Sequence, residues 1–135
     1  MGYGPMLSQY LYISTAPDLS REEVDAILDT SARNNPEREI TGLLLYNGRN
    51  FLQLLEGEES ALVSLMTRIA HDSRHSGVSM LGRKEIEQRA CPDWAMRRIL
   101  VAESVKDRRE KLDTELPDTL DAEARRLIMN FAVLN

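Results

Sequence analysis

A chain of 135 residues has the length of one ordinary domain, enough to bury most of the surface its unfolded form exposes. Its 17 Lys and Arg stand against 22 Asp and Glu, a net charge of -5, which argues against a surface built to neutralise phosphate backbones and so against a nucleic-acid partner. A lone cysteine, Cys91, with no C-x-x-C pair excludes an internal disulfide and a structural zinc site and fits a reducing cytoplasm. No apolar run approaches the roughly 18 residues of a membrane span, and Met1 to Met6 lack a signal peptide's basic start and apolar centre, so an unprocessed protein with no membrane partner is expected.

Gln9 to Ser14 are aromatic and aliphatic and end at Ala16-Pro17-Asp18, which reads as a first strand. Ser20 has the character of a helix N-cap, and Glu23 three residues on completes a capping box. Val24, Ile27, Leu28 and Ser31 follow at helical spacing, and Pro36 predicts a stop near Asn34 or Asn35. Ile40 to Tyr46 and Asn50 to Glu56 are strand-like runs on either side of Asn47-Gly48, a dipeptide suited to a type I′ hairpin turn. Beyond Gly57, the spacing of Leu62, Leu65, Met66 and Ile69 predicts a second helix from about Glu59 to about Asp72.

A further strand is predicted from near Val78, with a polar exit at Glu85 to Arg89, and a short fifth strand around Arg98 to Ala102. The order β-α-β-β-α-β predicts an α+β, ferredoxin-like sheet with its first and third strands central and adjacent. Both hairpin strands are apolar on nearly every residue, so both sheet faces should be covered, and two helices cover only one. Leu120, Ala124, Leu127, Ile128, Phe131 and Leu134 form an apolar helical stripe, expected to start at Asp118 and to cover the opposite face or a partner. Val105 to Glu115 is charged enough to be expected mobile. The predicted organisation is a core over 1–103 and a carboxy-terminal helical extension over 104–135.

Gln53 stands inside the apolar run Phe51 to Leu55, where an amide without partners costs about 1 to 3 kcal/mol. Strand alternation puts Phe51, Gln53 and Leu55 on one face, and Tyr10, Tyr12 and Ser14 on one face of the first strand. If these strands are neighbours, Tyr12 and Gln53 meet under the helices, either as a satisfied core pair or as part of a ligand site. Asn34 and Asn35 serve equally as a helix C-cap or as amide donors to the same cleft. Arg68 and Asp72, four apart, have the spacing of a surface ion pair. Together these residues would set amides, a phenol and a guanidinium around a slot fit for a planar ligand. His71 to His75 spell H-D-S-R-H, which departs from the zinc helix H-E-x-x-H in its shorter acid and its want of a third ligand; a solvated helix end accounts for both histidines. No G-x-G-x-x-G, Walker loop or G-x-S-x-G elbow is present.

The stretches L-Y-I-S-T-A, A-R-N-N-P-E-R-E-I-T-G-L-L-L-Y, F-L-Q-L-L-E-G and P-D-W-A-M, in this order over Leu11 to Met96, resemble the BLUF family of flavin-binding blue-light sensors. The resemblance implies non-covalent FAD, its ring between the two helices and above the first and third strands. It further implies that Tyr12 is the light-reactive tyrosine, Gln53 the switching glutamine, and Asn35, with Asn34 beside it, the contact to the pyrimidine edge. An amide suits that edge because it both donates and accepts. Arg68, Asp72 and His75 match further cofactor-side positions, and Trp94 and Met96 match the segment that moves as the signal leaves. Ala90-Cys91 departs from the Arg-Phe frequent in the family before P-D-W.

On this resemblance, light draws an electron and a proton from Tyr12, and Gln53 rotates or tautomerises before they return. A strengthened hydrogen bond to the ring shifts absorption to the red. With little chain beyond the core, the signal is expected to leave to a downstream effector in trans or through a homo-oligomer, by way of the carboxy-terminal helices. A flavin-dependent redox enzyme and a cofactor-free ferredoxin-like interaction module are the competing readings.

Overall fold

The computed structural model describes residues 7–15, 20–34, 39–47, 49–71, 76–91, 97–99 and 105–134. Along the chain these form β1 (Leu7–Thr15), α1 (Arg21–Asn34), β2 (Thr41–Tyr46), β3 (Asn50–Glu58), α2 (Glu59–Ala70), β4 (Ser76–Ile86), β5 (Arg97–Ile99), α3 (Val105–Glu115) and α4 (Ala122–Leu134). The sheet order is β4-β1-β3-β2-β5. Neighbours among β1 to β4 are antiparallel, and β5 adds in parallel to β2. This is the predicted ferredoxin-like arrangement, with β1 and β3 at its centre.

Local chemistry accounts for the elements. The Ser20–Glu23 capping box forms in both directions: Glu23 N–H donates to Ser20 Oγ (3.1 Å) and Ser20 N–H to Glu23 Oε1 (3.2 Å), satisfying amides that the first turn of α1 leaves unpaired. At the β2–β3 connection the Asn47 side chain takes the N–H groups of Arg49 (3.0 Å) and Asn50 (2.7 Å), an Asx turn that fixes the register Tyr46↔Phe51. Gly48, and with it the type I′ geometry, lies outside the described residues. Within β2, a Cβ on Gly42 would run into the Leu54 carbonyl oxygen, so the close approach of β2 to β3 requires glycine there.

The apolar side chains divide by sheet face. On one face, Val24 and Ile27 of α1 pack with Leu44 and Phe51, while Leu62 of α2 packs with Tyr10, Tyr12, Ile40 and Leu55. On the other, Leu11, Leu43, Leu45, Leu52 and Leu54 meet Leu112 of α3, Leu116, Leu120, and Ala124, Ile128, Phe131 and Ala132 of α4. The carboxy-terminal stripe thus covers the face that α1 and α2 leave bare. Each Leu or Ile so buried contributes about 1.5 to 3 kcal/mol.

Two expectations need correction. Val105 to Glu115, expected mobile from its charge, is helix α3, held down by Leu112, which is buried against the sheet. The cap of α4 is Asp121 and not Asp118: Asp121 Oδ2 accepts the Ala124 N–H at 3.2 Å, whereas residues 117–120 make a turn closed by Leu120 N–H to Pro117 O at 3.1 Å. The fifth strand, expected around Arg98 to Ala102, is described over Arg97–Ile99; residues 92–96 and 100–102 lie outside the described set.

Candidate functional site

Antiparallel register places Tyr12 directly opposite Gln53, and Gln53 opposite Leu44. Directly opposed residues share a sheet face, so one transverse row runs Met80, Tyr12, Gln53, Leu44 from β4 to β2. That face carries α1 and α2. Its apolar packing is divided into a cluster under each helix, and the row crosses the seam between them: Tyr12 belongs to the α2 cluster, and Leu44, next to Gln53, to the α1 cluster.

Tyr12 is 0 % and Gln53 5 % exposed. The Tyr12 hydroxyl donates to the Gln53 side-chain carbonyl oxygen. With water excluded, this bond lies in a medium where hydrogen bonds are electrostatically strong and unpaired polar groups expensive. Chemically, the arrangement joins a phenol, which can give up an electron and a proton, to a carboxamide, which can exchange its donor and acceptor ends by turning over.

Two residues before Tyr12 on the same face, Tyr10 is buried and donates to Glu59 Oε1 at 2.7 Å. Arg83 pairs with the same carboxylate and holds its guanidinium carbon 5.0 Å from the Tyr10 ring centre. Burial, then the Glu59 carboxylate, pushes the Tyr10 phenol up to about 12. Hydrogen bonds from Ser8, Tyr10 and Arg83 hold Glu59 down at about 2. This cluster was not singled out in the sequence; its signal was a second tyrosine in period with Tyr12.

Of the other candidate residues, Asn34 ends α1, although its side chain is outside the described set, and Arg68 is exposed in the last turn of α2. His71 closes α2, with Nδ1 2.7 Å from Thr67 O. Asn35, Asp72, His75, Trp94 and Met96 lie outside the described residues. Cys91 is buried at 1 % exposure in the core against α3 and α4. Among the described residues, no cluster of metal-binding side chains and no helix long and apolar enough to cross a membrane occurs.

Comparison with known proteins gives a consistent result. Residues 7–97 match the family model BLUF, sensors of blue-light using FAD. The chain is 39% identical over 92 residues to the photoactivated adenylate cyclase subunit beta of Euglena longa, a match covering 67% of this chain and 11% of that protein. It is 32% identical over 74 residues to the blue light- and temperature-regulated antirepressor BluF of Escherichia coli, 54% of this chain and 18% of that one. This chain therefore spans a minor part of those relatives. Among solved structures, BlrP1 BLUF superposes with a TM-score of 0.79 at 31% identity, covering 94% of this chain and 90% of that chain. The dark-state structure of BlrB, a BLUF protein, superposes with a TM-score of 0.70 at 29% identity, covering 96% of both chains.

Proposed function

Because this chain belongs to the BLUF family, whose members sense blue light using FAD, we propose that its signal begins at the hydrogen bond between Tyr12 and Gln53. The unit is a photosensor and not an enzyme. Bound flavin supplies absorption of blue light and, once excited, a strong one-electron oxidant.

The residues present suit that cofactor: the seam between the two helix clusters sets a buried carboxamide, able to donate and accept, beside a buried phenol. With flavin bound, Tyr12 would supply an electron to the excited ring and release its proton along its existing hydrogen bond, through the Gln53 carboxamide, to the same ring; electron and proton would both come back from the ring to Tyr12, leaving the Gln53 amide turned over. The amide then presents the opposite end to its surroundings, and burial keeps water from erasing the difference. Asn34 and Asn35 would hold the pyrimidine edge of the flavin, and Arg68, Asp72 and His75 the remainder of the cofactor, as the family resemblance implies. Trp94 and Met96 carry the change toward β5.

BLUF domains signal to effector partners. For this chain we infer an effector in trans or a homo-oligomer, reached through residues 104–135, in a reducing cytoplasm consistent with its single thiol. The observation that carries the proposal is the Tyr12–Gln53 bond across the central strand pair. Illuminating purified, flavin-loaded protein with blue light tests it. A reversible red shift of the flavin band is the expected result; a spectrum that does not change, or bleaches irreversibly, overturns it.

A further inference from the structure

The least expected group in the sheet is Glu56, a carboxylate at 0 % exposure on β3. It lies three residues from Gln53 and so on the other face of the strand, toward α3 and α4. Charges are rarely buried so completely unless every lone pair is engaged. Oε2 accepts Gln9 Nε2 from β1 and the Ala90 N–H, each at 3.0 Å; Oε1 accepts the Cys91 N–H at 2.7 Å. Arg89 adds a second tie, donating to Glu56 O (2.8 Å) and Thr41 Oγ1 (3.0 Å).

Two successive backbone amides are thereby held by one side chain of the strand that carries Gln53. The same stretch faces the carboxy-terminal helices: Ala90 and Cys91 pack in one cluster with Leu112, Leu116 and Leu120, and Thr119 Oγ1 lies 3.5 Å from Ala90 O. Residues 92–96, which include Trp94 and Met96, follow directly in sequence.

We propose that Glu56 is a positioning residue that latches residues 89–91 to β3 in the dark and releases them in the lit state, coupling the photochemical face to α3 and α4. The physical reason is directional. An apolar contact tolerates sliding, whereas charge-assisted hydrogen bonds from two adjacent amides weaken steeply with displacement and angle. A small shift of β3 therefore changes whether residues 89–91 are held. The inference rests on the proposed switching at Gln53.

Cys91, the only cysteine in the sequence, is a built-in reporter, since its buried thiol reacts with a maleimide only when this stretch opens. In wild-type protein, labelling is slow in the dark and faster under blue light. Glu56→Gln puts an amide N–H₂ against a backbone N–H, leaving one amide without an acceptor, so dark labelling should rise about tenfold to a hundredfold. In that variant the light dependence should vanish while the reversible flavin shift persists. A Glu56→Gln protein that keeps the wild-type light-to-dark labelling ratio overturns the latch. Should that variant not fold, hydrogen exchange at the Ala90 and Cys91 amides of wild type decides: protection lost in light supports the latch, and equal protection overturns it. Wild type without any flavin shift would instead defeat the switching reading beneath it.

Discussion

Tyr12 and Gln53 occupy the same rung of the β1–β3 ladder, and the hydrogen bond between them runs from phenol to amide carbonyl in the dry interior of the sheet face that carries α1 and α2. Removing the phenol oxygen should therefore separate colour from switching. Tyr12→Phe is expected to keep flavin absorption and lose the reversible red shift, at a stability cost of about 1 to 3 kcal/mol for the buried amide that loses a donor. Gln53→Leu should likewise bind flavin and fail to switch. Light-minus-dark spectra and urea denaturation read both effects, and an unaltered shift in Tyr12→Phe removes Tyr12 from the mechanism.

The Tyr10–Glu59–Arg83 cluster predicts two pH limits. Glu59 sits below its ordinary 4.5, at about 2, because Ser8, Tyr10 and Arg83 hydrogen-bond its charged form; its contribution is complete above 4.5 and disappears as pH falls through about 2. Tyr10 sits above its ordinary 10.0, at about 12, because burial and then Glu59 disfavour the phenolate; its contribution is complete below 10 and is lost as pH rises through about 12. Subtracting the tyrosinate absorbance titration of Tyr10→Phe from that of wild type should isolate a step near 12. A step near 10 would contradict the cluster.

Gly42 and Gly82 should differ sharply on substitution by alanine. At Gly42 the added Cβ meets the Leu54 carbonyl, which is backbone and cannot step aside, whereas at Gly82 the nearest atom is Leu11 Cβ at 4.0 Å. Gly42→Ala should cost about 3 kcal/mol or more by forcing β2 from β3, and Gly82→Ala less than about 1. Urea midpoints at constant slope measure the contrast.

The start of α4 offers a matched pair. Asp121 caps the Ala124 N–H and lies 2.7 Å from Lys84 Nζ. Burial raises its carboxyl, but those two partners outweigh it and hold the group below the usual carboxylate range. Asp121→Ala should cost about 1 kcal/mol, and exposed Asp118→Ala less than about 0.5. Equal losses in thermal unfolding would restore Asp118 as the cap.

The parts of the fold that local chemistry dictates were legible before any coordinates. Ser20 and Glu23 announce the start of α1 because the capping box is written in two residues. Tyr12 and Gln53 face each other because strand alternation and a ferredoxin-like order leave few other choices. Less could be read where two residues compete for one role, as Asp118 and Asp121 do ahead of the same apolar stripe. In α3, a single deeply buried leucine within the helix, Leu112, outweighs a run of charges, and composition conceals that. Glu56 was missed although its signal matched that of Gln53: a polar side chain in a strand otherwise apolar on both sides. One partner, Gln9, is a side chain on the neighbouring strand, but the other two are backbone amides 34 and 35 residues on, and no side-chain pattern marks those.

From Phe51 to Gly57, β3 has no side exposed to solvent. A strand with one wet face can absorb a disturbance by rearranging water and surface side chains. Here an event above the sheet has dense packing beneath it, and close-packed interiors transmit strain. The layer that separates α1 and α2 from α3 and α4 is thus a partition that passes strain from one face to the other; on the proposed function, the carboxy-terminal helices answer to light absorbed on the far side of the sheet.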